Sequence, residues 1–174
     1  MGRIGIDGTA ISQNGKGVSR YQRNIIRSLS QLESEHEYFV FLNKACGIEP
    51  FVENVRWHFV QVPIWNALFW EQIQIPQWIN QLKLDLFHTT ADRLPCLGRG
   101  RFLLELFEIP DQRIHFARKV ENQYSFCSRM ADQTHLAFFP HSLKRARRIL
   151  VSSVSTHAVS RSEINGDGIL VGAD

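Results

Sequence analysis

The sequence predicts an α/β protein: a Rossmann-like, doubly wound, mostly parallel sheet with helices on both faces. Three observations carry this. Short apolar runs bounded by turn-forming or charged residues alternate with stretches whose apolar positions recur at three and four. The chain opens on one such run, Arg3-Ile4-Gly5-Ile6-Asp7-Gly8, which has the pattern of a short buried strand. No internal repeat or low-complexity tract interrupts the alternation, and strands that alternate with helices pair in parallel through right-handed crossovers.

After the first strand and a polar loop, Val18, Tyr21, Ile25, Leu29 and Leu32 recur at helical spacing and predict an amphipathic helix with these residues on its apolar face. The aromatic-rich runs Glu37 to Leu42 and Arg56 to Val62 predict strands. Leu68 to Leu82 is helical through Leu68, Phe69, Ile73, Trp78, Ile79 and Leu82, and Pro76, which lacks an N–H, predicts a kink or a second helix start there. Asp85 to Thr89 and Arg101 to Phe107 are strand-like again. The polar segment Asp111 to His135 predicts a helix, and Arg148 to Val154 a last clear strand.

At 174 residues, with 44% hydrophobic and 21% charged, the chain has the size and balance of one globular domain spanning 1–174. The longest apolar stretches, Phe39 to Leu42 and Phe102 to Leu104, are too short for a bilayer span, and Met1-Gly2-Arg3-Ile4 lacks the apolar run of a signal peptide, so a cytoplasmic location is expected. Cys46, Cys96 and Cys127 form no CxxC pattern and suggest neither a disulfide framework nor a zinc site. A net charge of +3 is mildly basic. Lys144, Arg145, Arg147 and Arg148 contribute much of it; the plain reading is a solvated helix face, and the functional ones are an anionic membrane surface, touched peripherally at its inner face, or ligand phosphates. Nucleic acid is disfavoured as a partner because the aromatics are not interleaved with these cations.

Ligands of open parallel sheets bind at the carboxyl ends of the strands. The loops to inspect are therefore Thr9 to Gly17, His88 to Pro95, Glu108 to Arg113 and Ser155 onward. The first holds Asn14-Gly15-Lys16-Gly17-Val18-Ser19-Arg20 just before a helix, where glycines admit a close ligand and free N–H groups favour an anion such as a pyrophosphate. It is not an ATPase phosphate loop, since six residues separate Gly8 from Gly15 and Gly17 follows Lys16; nor is it a dinucleotide fingerprint, since Arg20 stands where the third glycine belongs. A helix-initiating turn with no ligand competes evenly. His88-Thr89-Thr90-Ala91-Asp92-Arg93 offers an imidazole, hydroxyls and a charge pair at a strand end, able to hydrogen-bond sugar hydroxyls or move a proton, although one such histidine is more often structural. With no Ser-His-Asp order, HExxH or DxD-like pair, a metal-dependent mechanism is disfavoured, and no cofactor is expected.

Ile4-Gly5-Ile6-Asp7-Gly8 with Gly15-Lys16-Gly17-Val18-Ser19-Arg20-Tyr21, the block Trp70-Glu71-Gln72 through Leu84-Asp85-Leu86-Phe87-His88, and Ile149 to Ser155 together resemble the N-terminal domain of family 4 glycosyltransferases of the GT-B fold. The resemblance implies an acceptor-binding domain whose partner, a C-terminal domain absent from this sequence, grips a nucleoside diphosphate sugar between two carboxylates. It implies retaining transfer to a glycan or lipid-linked acceptor, as in polysaccharide biosynthesis, with this half alone inactive. Carried onto this chain, it assigns Gly15, Lys16, Gly17 and Arg20 to the donor diphosphate, with Tyr21, Thr89, Thr90, Asp92 and Arg93 on the acceptor side.

Two departures qualify the resemblance. Relatives carry His-Asp and then a proline after the fifth strand, whereas Leu106-Phe107 stands here before Glu108-Ile109-Pro110; Glu105 or Glu108 substitutes, His88 serves instead, or activity is altered. The tail Glu163 to Asp174 resembles the family's "NG(V/A)D" stretch before the second domain but arrives early, with a helix and a strand shortened. The alternative that these departures motivate is a noncatalytic acceptor-binding or partner subunit of a split enzyme. A generic flavin or nicotinamide binder is made improbable by the failed fingerprints. A half-cleft also exposes surface meant for a partner, so a homodimer would be no surprise.

Overall fold

A computed structural model of the chain describes residues 1–91, 93–107, 126–151 and 169–171, the stretches 126–132 and 169–171 by their backbone alone. The fold is α/β and Rossmann-like, with helices among strands that all pair in parallel in the described residues. The chain divides into two compact units, Met1–Thr89 with Leu97–Arg101, and Thr90–Cys96 with Phe102–Asp174.

The first unit runs β1 (Arg3–Asp7), α1 (Val18–Ser30), β2 (Glu37–Asn43), β3 (Trp57–Val62), α2 (Ala67–Phe69), a π turn (Trp70–Gln74), α3 (Ile75–Leu82) and β4 (Leu86–Thr89). Its strand order is β3-β2-β1-β4. Registers such as Gly5 with Phe39 and Phe87 fix β1 between its neighbours. Tyr38 through Leu42 are buried without alternation, as expected of a strand covered on both faces. Within this unit Phe41 meets Trp70, Trp78 and Phe87 at ring-centre distances of 5.7, 5.6 and 5.8 Å, while Tyr38 stacks on Trp57 at 4.3 Å.

One helical expectation changes and one holds. The buried positions of α1 are Ser19, Gln22 and Ile26, whereas Val18 and Leu32 are exposed and the helix ends at Ser30. The reason is polar: Ser19 Oγ accepts the Ser12 N–H at 3.0 Å and Gln22 Nε2 donates to the Asp7 carbonyl at 2.8 Å, so backbone satisfaction turns these side chains inward. Pro76 marks the second helix start expected of it, α3 beginning at Ile75. It lies in the first turn of α3 behind the π turn Trp70–Gln74, whose wider winding accommodates the missing proline N–H. Asn66 caps α2 by accepting the Phe69 N–H at 2.7 Å.

The second unit contains β5 (Phe102–Leu106), α4 (Phe126–Arg145), β6 (Arg148–Val151) and β7 (Ile169–Val171), with strand order β5-β6-β7. The helix expected over Asp111 to His135 is described only from Phe126, and it continues to Arg145; residues 111–125 lie outside the described residues, as do 152–154 of the last strand expected there. Buried Ser142 ties this unit together, accepting the Leu94 N–H at 2.7 Å and donating to the Phe138 carbonyl at 3.0 Å. The basic cluster is not one helix face. Lys144 and Arg145 close α4, where cations suit the helix dipole, while Arg147 and Arg148 belong to the turn and β6; the Arg145 guanidinium stands 5.3 Å from the Phe102 ring centre.

Replacing Phe41 by alanine removes a fully buried ring and should cost about 3–5 kcal/mol in urea denaturation, against little change for Val55→Ala, whose side chain is 93% exposed. Equal midpoints for the two variants would show that this aromatic cluster is not the core of the unit.

Candidate functional site

The loop after β1 is built by its own hydrogen bonds. Thr9 donates its N–H and hydroxyl to Asp7 Oδ1 at 3.1 and 2.6 Å, Ile11 N–H reaches the Gly8 carbonyl, and Gly15 N–H reaches the Ser12 carbonyl at 3.3 Å. The Gly15 amide is therefore engaged inside the turn rather than left bare for a ligand. Gly17 is the cap of α1 at φ 55° and ψ −119°, a backbone conformation open to glycine, and no side chain caps the first turn of the helix.

Beside this turn lies an open cavity of about 530 Å³ lined by Ser12, Gln13, Gly15, Lys16, Gly17, Arg20, Arg23, Asn24 and Arg27. Four of the nine lining residues are cationic and none is acidic. Among the described residues no carboxylate pairs with Lys16, Arg20, Arg23 or Arg27. The guanidinium groups of Arg23 and Arg27 both stand over the Phe51 ring, at 5.0 and 5.6 Å from its centre. All four residues assigned to the donor phosphate, Gly15, Lys16, Gly17 and Arg20, thus line one groove. The sequence reading missed Arg23, Asn24 and Arg27, although spacing of three and seven from Arg20 marks a single helix face.

The remaining expected residues are not gathered there. Tyr21 is half-buried in the first turn of α1, its N–H bonded to the Gly17 carbonyl. His88 is 8% exposed within β4, in register with Ile6. Thr89 is buried and donates its hydroxyl to Asp7 Oδ2 at 3.0 Å. Thr90, Arg93 and Glu105 belong to the second unit: Thr90 is half-buried, buried Arg93 donates to Thr134 Oγ1 at 2.9 Å, and Glu105 is buried in β5. Asp92 and Glu108 lie outside the described residues. Among the described residues no group of three or more His, Cys, Asp or Glu is gathered as metal ligands would be, and no helix is long and apolar enough to cross a membrane.

Comparison with models of known protein families finds no match to this chain, and comparison with curated protein sequences finds none either.

The two glycines of the turn should respond differently to alanine. At Gly15 a methyl group would stand 2.0 Å from Ser19 Oγ and 2.3 Å from Ser19 Cβ, which the helix backbone holds in place; at Gly17 it would meet nothing within 4 Å, and the penalty is conformational. Gly17→Ala should therefore cost about 1–3 kcal/mol and leave the native fold intact. Gly15→Ala should cost more and displace the Ser12–Ser19 contact, visible as shifted amide resonances of residues 12–19. Identical, small losses at both positions would contradict this division.

Proposed function

We propose that this chain is the N-terminal, acceptor-side half of a retaining, metal-independent glycosyltransferase, which moves a sugar from a nucleoside diphosphate sugar to a glycan or lipid-linked acceptor. The observation that carries the reading is the acid-free basic groove at the uncapped start of α1. Cations at a helix N-terminus oppose the helix dipole, so Lys16 and Arg20 are placed against the interest of the helix alone. A bound diphosphate reverses the balance. It accepts hydrogen bonds from the first-turn N–H groups and meets Lys16 and Arg20 as partners, in the manner of anion sites at helix starts.

The chemistry follows from that placement. A departing nucleoside diphosphate gains negative charge as the sugar leaves, and fixed amide dipoles with two cations stabilise that charge at its source. The resemblance of the Gly15 to Tyr21 segment to family 4 enzymes supports the same assignment. The resemblance also supplies the pathway, polysaccharide assembly with the donor gripped by a second domain, and the apolar pattern of the sequence supplies the cytoplasmic side as the location.

Calorimetric titration of the 174-residue chain with inorganic pyrophosphate should give saturable binding, and Arg20→Gln should weaken it about tenfold. Incubated alone with nucleotide-sugar donors and candidate acceptors, the chain should yield no transfer product. Turnover without a second domain would defeat the half-enzyme reading, and failure to bind pyrophosphate would defeat the diphosphate assignment.

A further inference from the structure

We infer that the same groove holds a second anionic group, bound between Arg23 and Arg27 beyond the diphosphate, so that the ligands of this protein include an acceptor carrying its own phosphate or carboxylate. This rests on the diphosphate reading for what occupies the Gly17 end and extends it along α1.

The charge pattern of α1 is the first argument. From Val18 to Ser30 the helix carries Arg20, Arg23 and Arg27 and no carboxylate. Arg20 with Arg23 and Arg23 with Arg27 are like-charged neighbours three and four residues apart, an arrangement that destabilises a helix unless something negative lies between. Among the described residues, no carboxylate of the protein supplies it. Length is the second argument. Seven residues separate Arg20 from Arg27, about 10 Å along the axis, and one diphosphate at the helix start does not reach that far.

The third argument is preorganisation. The Arg23 and Arg27 guanidinium groups both stand over the Phe51 ring, and Arg23 is further held by its bond to the Ser12 carbonyl at 3.4 Å. Two guanidinium forks fixed over one ring have lost part of their rotamer freedom before a ligand arrives, and a planar fork suits a phosphate or carboxylate. Asn24, which also lines the groove, adds an amide that can donate to the same ligand.

Bisphosphates of fixed charge and variable spacer separate a two-point site from diffuse attraction. Calorimetry with inorganic pyrophosphate and with the butane-, hexane- and octane-linked bisphosphates should show an optimum at the hexane spacer, about tenfold tighter than pyrophosphate. Arg27→Gln should abolish that advantage while leaving pyrophosphate binding unchanged, and Arg27→Lys should restore part of it. Arg27 is exposed, so the variants should fold, as circular dichroism would verify. No dependence on spacer, or equal loss of pyrophosphate and bisphosphate in Arg27→Gln, would overturn the inference. Spacer-dependent, Arg27-dependent binding without any pyrophosphate binding would retain the second site and remove the diphosphate reading. The second anion could sit on a soluble glycan or on a lipid headgroup. Arg27-dependent sedimentation with phosphatidylcholine vesicles containing phosphatidic acid would place it on a lipid, and bisphosphate binding without sedimentation on a soluble acceptor.

Discussion

A carboxylate taken out of water needs hydrogen-bond donors for both its oxygens, and Asp7, 4% exposed at the end of β1, imposes that condition on the first unit. Its Oδ1 collects both donors of Thr9, and its Oδ2 collects the Thr89 hydroxyl and, at 3.4 Å, the Trp70 indole N–H. Its carbonyl takes the Gln22 side chain. One residue thereby fastens the loop after β1, the end of β4, the π turn and α1. The last of these links decides where the groove lies. Successive residues of a helix turn by about 100°, so pointing Gln22 inward sends Arg20, Asn24 and Arg27 onto the opposite side and leaves Arg23 on the flank between.

That outward face is electrostatically costly to the folded domain. Lys16 and Arg20 oppose the helix dipole, and Arg23 and Arg27 repel each other over Phe51. Each effect is a few tenths of a kcal/mol to about 1 kcal/mol, and glutamate at any of the exposed positions would relieve it. Local rules broken in concert on one face are what a binding surface produces, because the terms that weaken the free domain are the ones a ligand's charge satisfies.

The elements were legible where one signal dominated. Unbroken apolar runs such as Tyr38 to Leu42 have little choice but a sheet covered on both faces, and β1 to β6 stand close to where those runs predict them, whereas β7 was not foreseen. The face of α1 was not legible, because its inward residues are Ser19 and Gln22, polar side chains recruited by backbone groups many residues away in sequence. Apolar periodicity cannot see such recruitment. Pro76 announced the start of α3 but not the π turn before it, since that turn depends on what it packs against, here Trp70 against Phe41. The groove was half legible: the glycines, Lys16 and Arg20 stood out at the loop, while nothing in the sequence marks Phe51 as the ring over which Arg23 and Arg27 meet.

Gly15 and Gly17 look interchangeable in the sequence, yet they serve different ends. Gly15 is glycine because Ser19 and Ser12 occupy the space its side chain would need; on that side the turn is closed by the protein itself. Gly17 is glycine because of its positive φ, and the space beyond its missing side chain is empty. A ligand of the proposed kind can therefore come up against the backbone at Gly17 and not at Gly15. Since Gly17 also begins α1, an anion approaching there meets the positive end of the helix and the first of its arginines together, and the remainder of the ligand is directed along the helix toward Arg23 and Arg27.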